Sequence, residues 1–423
     1  MTLPLLLSLL SACSSETSTD TGAAVDPGTG APPGETVMGS VERRSAPSTA
    51  HVEDLAAANN DFGLRFLQEV YAAEPNNTVV SPWSLQVVLA QVHGGARGDA
   101  KAAIGGTFGW TLADADLHEA FDATDLAVQA HNDAAAEPPV AVTSTNQIFV
   151  TTGYPLGAPW LDTLSEFYGT GVQTMDFAAD PAGVAADIND WIALRTGDRI
   201  KDLITEGTVS DNRMLLVNAI YFKVSWFVPF AEENTADKPF TLVDGSEVSV
   251  PMMSGSVNVH GAEGPGYFLA EMPYSDDGLV MTLVIPDEGT FASTVDTLAW
   301  ADIQATIDSE AFCEECPVQL PKFEVKSRPP VYDVLTAMGM APAFGGDYSD
   351  ISPDLTLTNV EQAGFVAVNE IGTEAAAATV AEFSDSATEP PFGPIVVDRP
   401  FLWFIREVET GAVLFSGVVV DPR

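Results

Sequence analysis

Residues 214–222, which read MLLVNAIYF, constrain the fold more than any other stretch of this chain. Eight of the nine residues are apolar, and the run is continuous instead of alternating with polar residues. Such a run is typical of a strand that is buried on both faces of a sheet. The chain can supply the covering layers, because 46% of its 423 residues are hydrophobic.

The order of the other patterns predicts an α+β fold around a large sheet. Apolar residues at helical spacing predict a helix over residues 52–71, and a second helix is expected over residues 180–196. Strand-like apolar runs come later, at residues 279–285, 365–368, 401–405 and 412–420. Because the helices come mainly first and the strands mainly later, the sequence indicates an α+β protein. No change of composition divides the chain after about residue 51.

The N-terminal segment has the pattern of an export signal followed by a spacer. Residues 1–12 are apolar and end in small residues before Cys13, as in a bacterial lipoprotein signal, although no Lys or Arg precedes Arg43. Either the signal is atypical or the true start lies upstream. Residues 13–50 are rich in Ser, Thr, Gly and Pro, which is typical of a flexible tether. We expect a lipid on Cys13 to hold a domain at residues 51–423 on the bacterial cell envelope or surface; without the lipid, the protein would be extracellular.

The chain is strongly acidic, with 60 Asp and Glu residues against 17 Lys and Arg residues. Its formal net charge of −43 makes nucleic acid an improbable partner, because the phosphate backbone is also negative. Two explanations of the charge stay open: solubility, in a salty medium for example, and attraction of a basic partner.

The chain lacks the common catalytic patterns Gly-x-Ser-x-Gly and His-Glu-x-x-His and has no phosphate-binding glycine loop. Cys313 and Cys316 could form a redox pair, half of a metal site or a local disulfide. No second cysteine pair completes a zinc site, and a strand-like segment follows where a redox motif would open a helix. A disulfide is therefore favoured in an exported protein. We predict neither enzymatic activity nor a metal or cofactor.

Residues 372–380, GTEAAAATV, divide into two kinds of side chain if the segment is extended. One face carries Thr373 and the small residues at every second position, and the other carries Glu374 and, two residues beyond the segment, Glu382. The first face could therefore be buried and the second could face solvent. A solvated helix tolerates the same pattern, so periodicity alone leaves strand and helix equally open.

The sequence on both sides of this segment resembles the serpin family. Residues 368–379, VNEIGTEAAAAT, match the family's hinge pattern Val-Asn-Glu-x-Gly-Thr-Glu-Ala-Ala-Ala-Ala-Thr at every specified position. Other family motifs follow in order between about residues 51 and 423, among them those at residues 77–84, 95–98, 189–191, 216–223, 234–235, 320–323 and 398–401. The resemblance implies the serpin fold, in which helices pack around large mixed β-sheets, with an exposed reactive-centre loop at about residues 370–394.

The resemblance also implies suicide-substrate inhibition. A target serine protease, or a cysteine protease, cleaves the loop and is trapped as an acyl-enzyme while the loop inserts into the large sheet as a strand. Insertion needs small, uncharged side chains on the buried face, and a glycine at the start permits the hinge. The implied hinge residues are Glu370, Gly372, Thr373, Glu374, Ala375, Ala376, Ala377, Ala378 and Thr379.

Counting along the loop places the reactive bond. In the family the scissile residue usually lies sixteen positions after the hinge glutamate, which here gives Ser386, with Ala387 beyond it. Ser386 suits proteases with small primary pockets, and Phe383 could fill an apolar subsite. The resemblance therefore favours elastase-like or subtilisin-like targets. The alternative is a non-inhibitory serpin-fold binding or carrier module that is cleaved as a simple substrate.

The family's central gate, the shutter, maps onto Ser81, Ser84 and Asn218. Its usual histidine is replaced by Gln362, which can donate and accept hydrogen bonds without titrating. Trp226 matches the tryptophan of the strand breach, or is simply a large core residue. The sequence has no basic cluster for a heparin-type activator, so none is expected. We expect a monomer.

Overall fold

The predicted buried strand is confirmed as Met214–Ser225, in the interior of a seven-stranded sheet. The computed structural model describes residues 30–132, 140–276, 278–373 and 391–423. In these residues the strands are β1 (Glu35–Val37), β2 (Thr78–Val80), β3 (Ala141–Thr151), β4 (Val172–Met175), β5 (Met214–Ser225), β6 (Ala236–Thr241), β7 (Glu247–Gly264), β8 (Tyr267–Pro273), β9 (Leu279–Pro286), β10 (Ala311–Pro321), β11 (Phe323–Ser327), β12 (Gly364–Val368), β13 (Gly372–Thr373), β14 (Ile395–Val396), β15 (Phe401–Glu407) and β16 (Val413–Val419).

The helices of the same residues lie mainly in the first half of the chain. They are α1 (Val52–Ala73), α2 (Pro82–His93), α3 (Gly98–Phe108), α4 (Asp114–Ala130), α5 (Ala158–Tyr168), α6 (Pro181–Arg195), α7 (Glu206–Asp211), α8 (Phe291–Thr297), α9 (Trp300–Ile307) and α10 (Val331–Leu335).

Two sheets organise the described residues. The seven-stranded sheet has the order β1-β4-β3-β5-β13-β12-β11. The nine-stranded sheet has the order β14-β10-β7-β8-β9-β15-β16-β2, and β6 also pairs with β7. Both are mixed, because β3 pairs parallel with β4 and β10 pairs parallel with β14, whereas the other ladders are antiparallel.

Helix α2 connects the two sheets. All twelve of its residues are buried, and it packs against β3 and β5 of one sheet and β16 of the other. Ser81 begins this helix, since its side chain accepts a hydrogen bond from Ser84 N and Pro82 occupies the first turn. The burial of α2 on all faces, polar residues such as Ser84 and Gln86 included, follows from its position between the two sheets.

The predicted elements are confirmed with small shifts at their ends. The helix expected over residues 52–71 is α1, and the one expected over 180–196 is α6. The later apolar runs are β9, β12, β15 and β16. In the described ranges no helix has both the length and the apolar composition needed to cross a membrane.

Residues 30–50 differ from the predicted tether. Strand β1 pairs antiparallel with β4, and Trp191 Nε1 donates a hydrogen bond to Gly30 O at 3.1 Å. The tether prediction is therefore wrong for residues 30–50, because this part packs on the domain and the packed region begins before residue 51. Residues 1–29, including Cys13 and the predicted signal, lie outside the described residues.

Candidate functional site

A tight turn at Asn369 connects β12 to β13. Its Oδ1 accepts hydrogen bonds from Ile371 N at 2.9 Å and Gly372 N at 3.2 Å. Its own N–H donates to Gly372 O at 2.9 Å. An asparagine that bonds the backbone two and three residues ahead stabilises such a reversal. The turn places β13 between β5 and β12.

Gly372 is required by the close approach of β5. A Cβ atom at this position would lie 2.3 Å from Val224 O and 2.5 Å from Ser225 Cα, which is closer than real Cβ contacts allow. The sequence suggested a flexible hinge at Gly372. The structure adds a packing reason, because no other residue fits against this backbone.

Thr373 is fully buried beside aromatic side chains. Its Oγ1 lies 2.7 Å from the hydroxyl oxygen of Tyr274, which is also fully buried. Burial raises the pKa of Tyr274, so this hydroxyl stays protonated. The Tyr274 ring stacks on Trp226 with the centroids 4.7 Å apart. Trp226 Nε1 in turn donates to Asn369 O at 3.0 Å.

Glu370 carries the charge of this region, and its side chain is buried. One carboxylate oxygen accepts a hydrogen bond from Thr235 Oγ1 at 2.7 Å, and the other lies 2.8 Å from Lys322 Nζ. Burial acts to raise the pKa of Glu370, but the hydrogen bonds from Lys322 and Thr235 outweigh it and lower the pKa. We call Glu370, Thr373, Tyr274, Trp226, Thr235 and Lys322 the hinge cluster.

A network of uncharged side chains joins β5 to β3 and α2. Asn218 Nδ2 donates to Ser84 Oγ and, at 2.7 Å, to Asn146 Oδ1. Asn218 Oδ1 accepts from Gln362 Nε2 at 2.9 Å. Asn218 lies directly opposite Asn146 in the antiparallel β3–β5 ladder. We call Ser81, Ser84, Asn146, Asn218 and Gln362 the shutter network.

Gln362 occupies the position at which the family usually has a histidine. Its Oε1 accepts from Ser81 N at 3.0 Å, and its Nε2 donates to Ser81 O at 2.9 Å as well as to Asn218. The side chain is 1% exposed, so its amide is fully used inside the protein. These contacts hold the segment before β12 against the start of α2.

Sequence reasoning missed four residues of these two groups. Thr235 and Lys322 lie within motifs at 234–235 and 320–323 that matched the family, but no role was assigned to them. Tyr274 and Asn146 carried no local signal, because their importance comes from cross-strand and stacking partners that are distant in sequence.

Several predicted site residues lie outside the described residues. They are Cys13, Glu374, Ala375, Ala376, Ala377, Ala378, Thr379, Phe383, Ser386 and Ala387.

The two internal cysteines are joined. Cys313 and Cys316 form a disulfide with the Cα atoms 5.7 Å apart. Both lie inside β10, at the point where its register with β7 shifts. The bond therefore closes a local bulge in a strand. No group of three or more His, Cys, Asp or Glu side chains in the described parts of the chain could hold a metal ion.

The hinge cluster and the shutter network lie around β13 and its two neighbouring strands. Asn218 lies on β5 and Gln362 just before β12, whereas Thr373 lies on β13 itself. Together they fix β5 and β12 and hold the first two residues of a strand in place. This arrangement suits the acceptance of further strand residues, and it offers no nucleophile and base in contact within the two groups.

Comparisons with known proteins agree with this architecture. Residues 57–422 match the family model described as Serpin (serine protease inhibitor). A serpin-like protein of Thermococcus kodakarensis is 32% identical over 371 residues, covering 86% of this chain and 85% of that protein. Iripin-3 of Ixodes ricinus is 30% identical, covering 87% and 94%. The structure of Serpin48 from the insect Tenebrio molitor superposes with a TM-score of 0.75 at 26% identity, covering 89% of this chain and all of that one.

Proposed function

Since this chain belongs to the serpin family, we propose that it inhibits serine proteases as a suicide substrate, and that its targets are elastase-like or subtilisin-like. The observation that carries this proposal is the position of Thr373. It is small, uncharged and fully buried, and it lies in the sheet between β5 and β12. A hinge of this kind favours insertion of the residues that follow it.

The proposed reaction is an interrupted proteolysis at Ser386–Ala387. The hydroxyl oxygen of the protease's serine attacks the carbonyl carbon of Ser386, the Ser386–Ala387 amide bond breaks, and the released Ala387 amine takes up a proton. The product is an ester between the protease and Ser386. If the hinge side of the loop inserts before water hydrolyses this ester, the protease stays attached and is displaced with the loop. Phe383 would contact an apolar subsite of the protease.

The N-terminal sequence supports a proposal about location. The apolar residues 1–12 followed by Cys13 suggest export and a lipid anchor, which would place the inhibitor at a bacterial cell envelope or surface. A protein held there would meet proteases outside the cell. It would act as a monomer, without a heparin-type activator.

The test compares the unchanged chain with two substitutions at one position. Thr373→Arg places a charge at a fully buried position, whereas Thr373→Ser keeps the hydroxyl that faces Tyr274. Each protein is mixed with an elastase-like and a subtilisin-like protease and examined by denaturing gels and intact mass. We expect a covalent complex and a released C-terminal peptide for the unchanged chain and Thr373→Ser, but clean cleavage without a complex for Thr373→Arg.

Clean cleavage of all three proteins, with the protease left fully active, would contradict inhibition of these proteases. If cleavage also failed to raise heat stability, a binding or carrier module would explain the chain better. The mass of the released peptide would place the reactive bond.

A further inference from the structure

Residues 30–50 form a strap across one side of the domain. The strap begins as β1, in which Glu35 lies opposite Thr174 and Val37 opposite Val172 of β4. It thus adds an edge strand to the sheet that contains β5 and β12. It then crosses α5, where Gly39 N donates to Ser165 Oγ at 2.8 Å and Ser40 N to Asp162 Oδ1 at 2.6 Å.

The strap lies in close backbone contact with α5 and β4. A Cβ on Gly39 would lie 2.5 Å from Leu161 O, and a Cβ on Gly171 would lie 2.2 Å from Val37 O. Both glycines are therefore needed for the strap to lie this near α5 and β4. A loosely attached segment would not require glycine on both sides of the contact.

Two arginines fasten the far end of the strap to α4. Arg43 Nε donates to Asp122 Oδ1 at 2.9 Å, and Arg43 Nη2 donates to Asp125 Oδ2 at 2.7 Å. The Asp122 side chain is fully buried, so its charge depends on this cation. Arg44 bridges Glu119 of α4 and Glu166 of α5, which are more exposed.

Strand insertion would pull the two ends of the strap apart. A strand added between β5 and β12 must shift β5, and β3 and β4 with it, by about 4.8 Å. Helix α4 packs on both α1 and α5 and touches β3, and α1 packs on β16 of the other sheet, which insertion does not open. The strap thus joins β4, which must shift, to α4, which α1 connects to the other sheet.

We propose that the strap is a brake on loop insertion and that Arg43 is its main positioning residue. This inference rests on the proposed function. Release of Arg43 from Asp122 and Asp125 frees β4 to shift and speeds insertion.

The test measures the rate of insertion in the full-length chain. The loop is cut with a catalytic amount of a protease that cleaves it without being trapped, and insertion is followed as the gain in heat stability with time. Arg43→Gln should insert at least about tenfold faster than the unchanged chain, and Arg43→Lys should recover part of the difference. Arg44→Gln should show a smaller increase, and it serves as the second variant if Arg43→Gln does not fold.

Val418→Ala is the control for general loss of stability. Val418 is fully buried in β16 and pairs with Leu402 and Thr78, neither of which contacts the strap through the bonds described above, so its truncation lowers the urea midpoint without freeing β4. Its insertion rate should match that of the unchanged chain. Equal insertion rates for Arg43→Gln and the unchanged chain, with a lowered urea midpoint, would overturn the brake and leave Arg43 a merely structural role.

The two proposals fail in different ways. If the unchanged chain inserts its loop but forms no covalent complex, inhibition fails and the brake is still measured. If no variant gains heat stability after cleavage, insertion does not occur and both proposals fail.

Discussion

The hinge cluster and the shutter network both hold β5, but they do so with opposite chemistry. The hinge cluster contains an ion pair, Glu370 with Lys322, and an aromatic stack. The shutter network consists of amide and hydroxyl groups that stay uncharged between acid and neutral pH. Because only the hinge cluster contains an ion pair, a change of pH can act on the contacts around β13 while the contacts further along β5 stay constant.

The largest expected effect comes from removing the centre of the shutter network. Asn218→Ala should lower the free energy of unfolding by about 3 kcal/mol, because Ser84 and Gln362 lose a buried partner. Urea unfolding measures it. Asn76→Ala, at an exposed position, is the control and should change stability by less than about 0.5 kcal/mol. An equally small change in Asn218→Ala would show that the network does not hold β5.

The hinge cluster should give a smaller effect that depends on pH. Since the pKa of Glu370 is lower in the folded than in the unfolded chain, its stabilisation is present above the unfolded pKa of about 4.3 and is lost as pH falls through the folded value. Glu370→Gln should therefore cost about 1–2 kcal/mol at pH 7 and lose its effect in acid. Urea midpoints from pH 3 to pH 7 measure the difference.

Lys322→Met is the matched variant on the other side of this pair. At pH 7, Lys322→Met should lose part of the free energy of unfolding that Glu370→Gln loses, because Thr235 still donates to Glu370. If the urea midpoints of the unchanged chain and Glu370→Gln differ by the same amount at every pH, the ion pair does not stabilise the fold as proposed.

The smallest effect at neutral pH is expected from Gln362→His. A neutral histidine offers one donor and one acceptor, so one hydrogen bond of the network is lost at a cost of about 1 kcal/mol. Burial would lower its pKa, as burial lowers the pKa of His118 in this chain to about 4. The free energy of unfolding of this variant is then highest above about pH 6.5, the pKa of the histidine in the unfolded chain. It falls as the pH drops towards the lower pKa of the histidine in the folded chain. Between pH 4 and pH 8, the urea midpoint of Gln362→His should rise more steeply with pH than that of the unchanged chain. If the two midpoints change in parallel, a titrating group in the shutter network does not affect stability, and the contrast with the hinge cluster is lost.

The sequence predicted long elements well because their patterns are local. The run at residues 214–222 needs only its own apolar residues to indicate a buried strand, and β5 contains it. The start of α2 was not predicted, although Pro82 and the capping hydroxyl of Ser81 act within one turn.

The strap could not be predicted from composition. Its Ser, Thr, Gly and Pro residues suggest a tether, because few apolar side chains are available to bury. It packs instead through backbone pairing, close glycine contacts and two arginines. Arg43 and Arg44 were the one signal, as the only basic residues among the first 64 of a strongly acidic chain.

The short strand β13 has a consequence for the accuracy of insertion. Side chains alternate between the two faces of a strand, so a slip of one residue exchanges every buried position with an exposed one. Thr373 is already paired with Val224 and buried, so the proposed insertion would start in a fixed register. A strand continued from it would bury Ala375 and Ala377 and leave Glu374 outside. In the proposed insertion, the pairing of Thr373 with Val224 would therefore exclude a product in which Glu374 is buried.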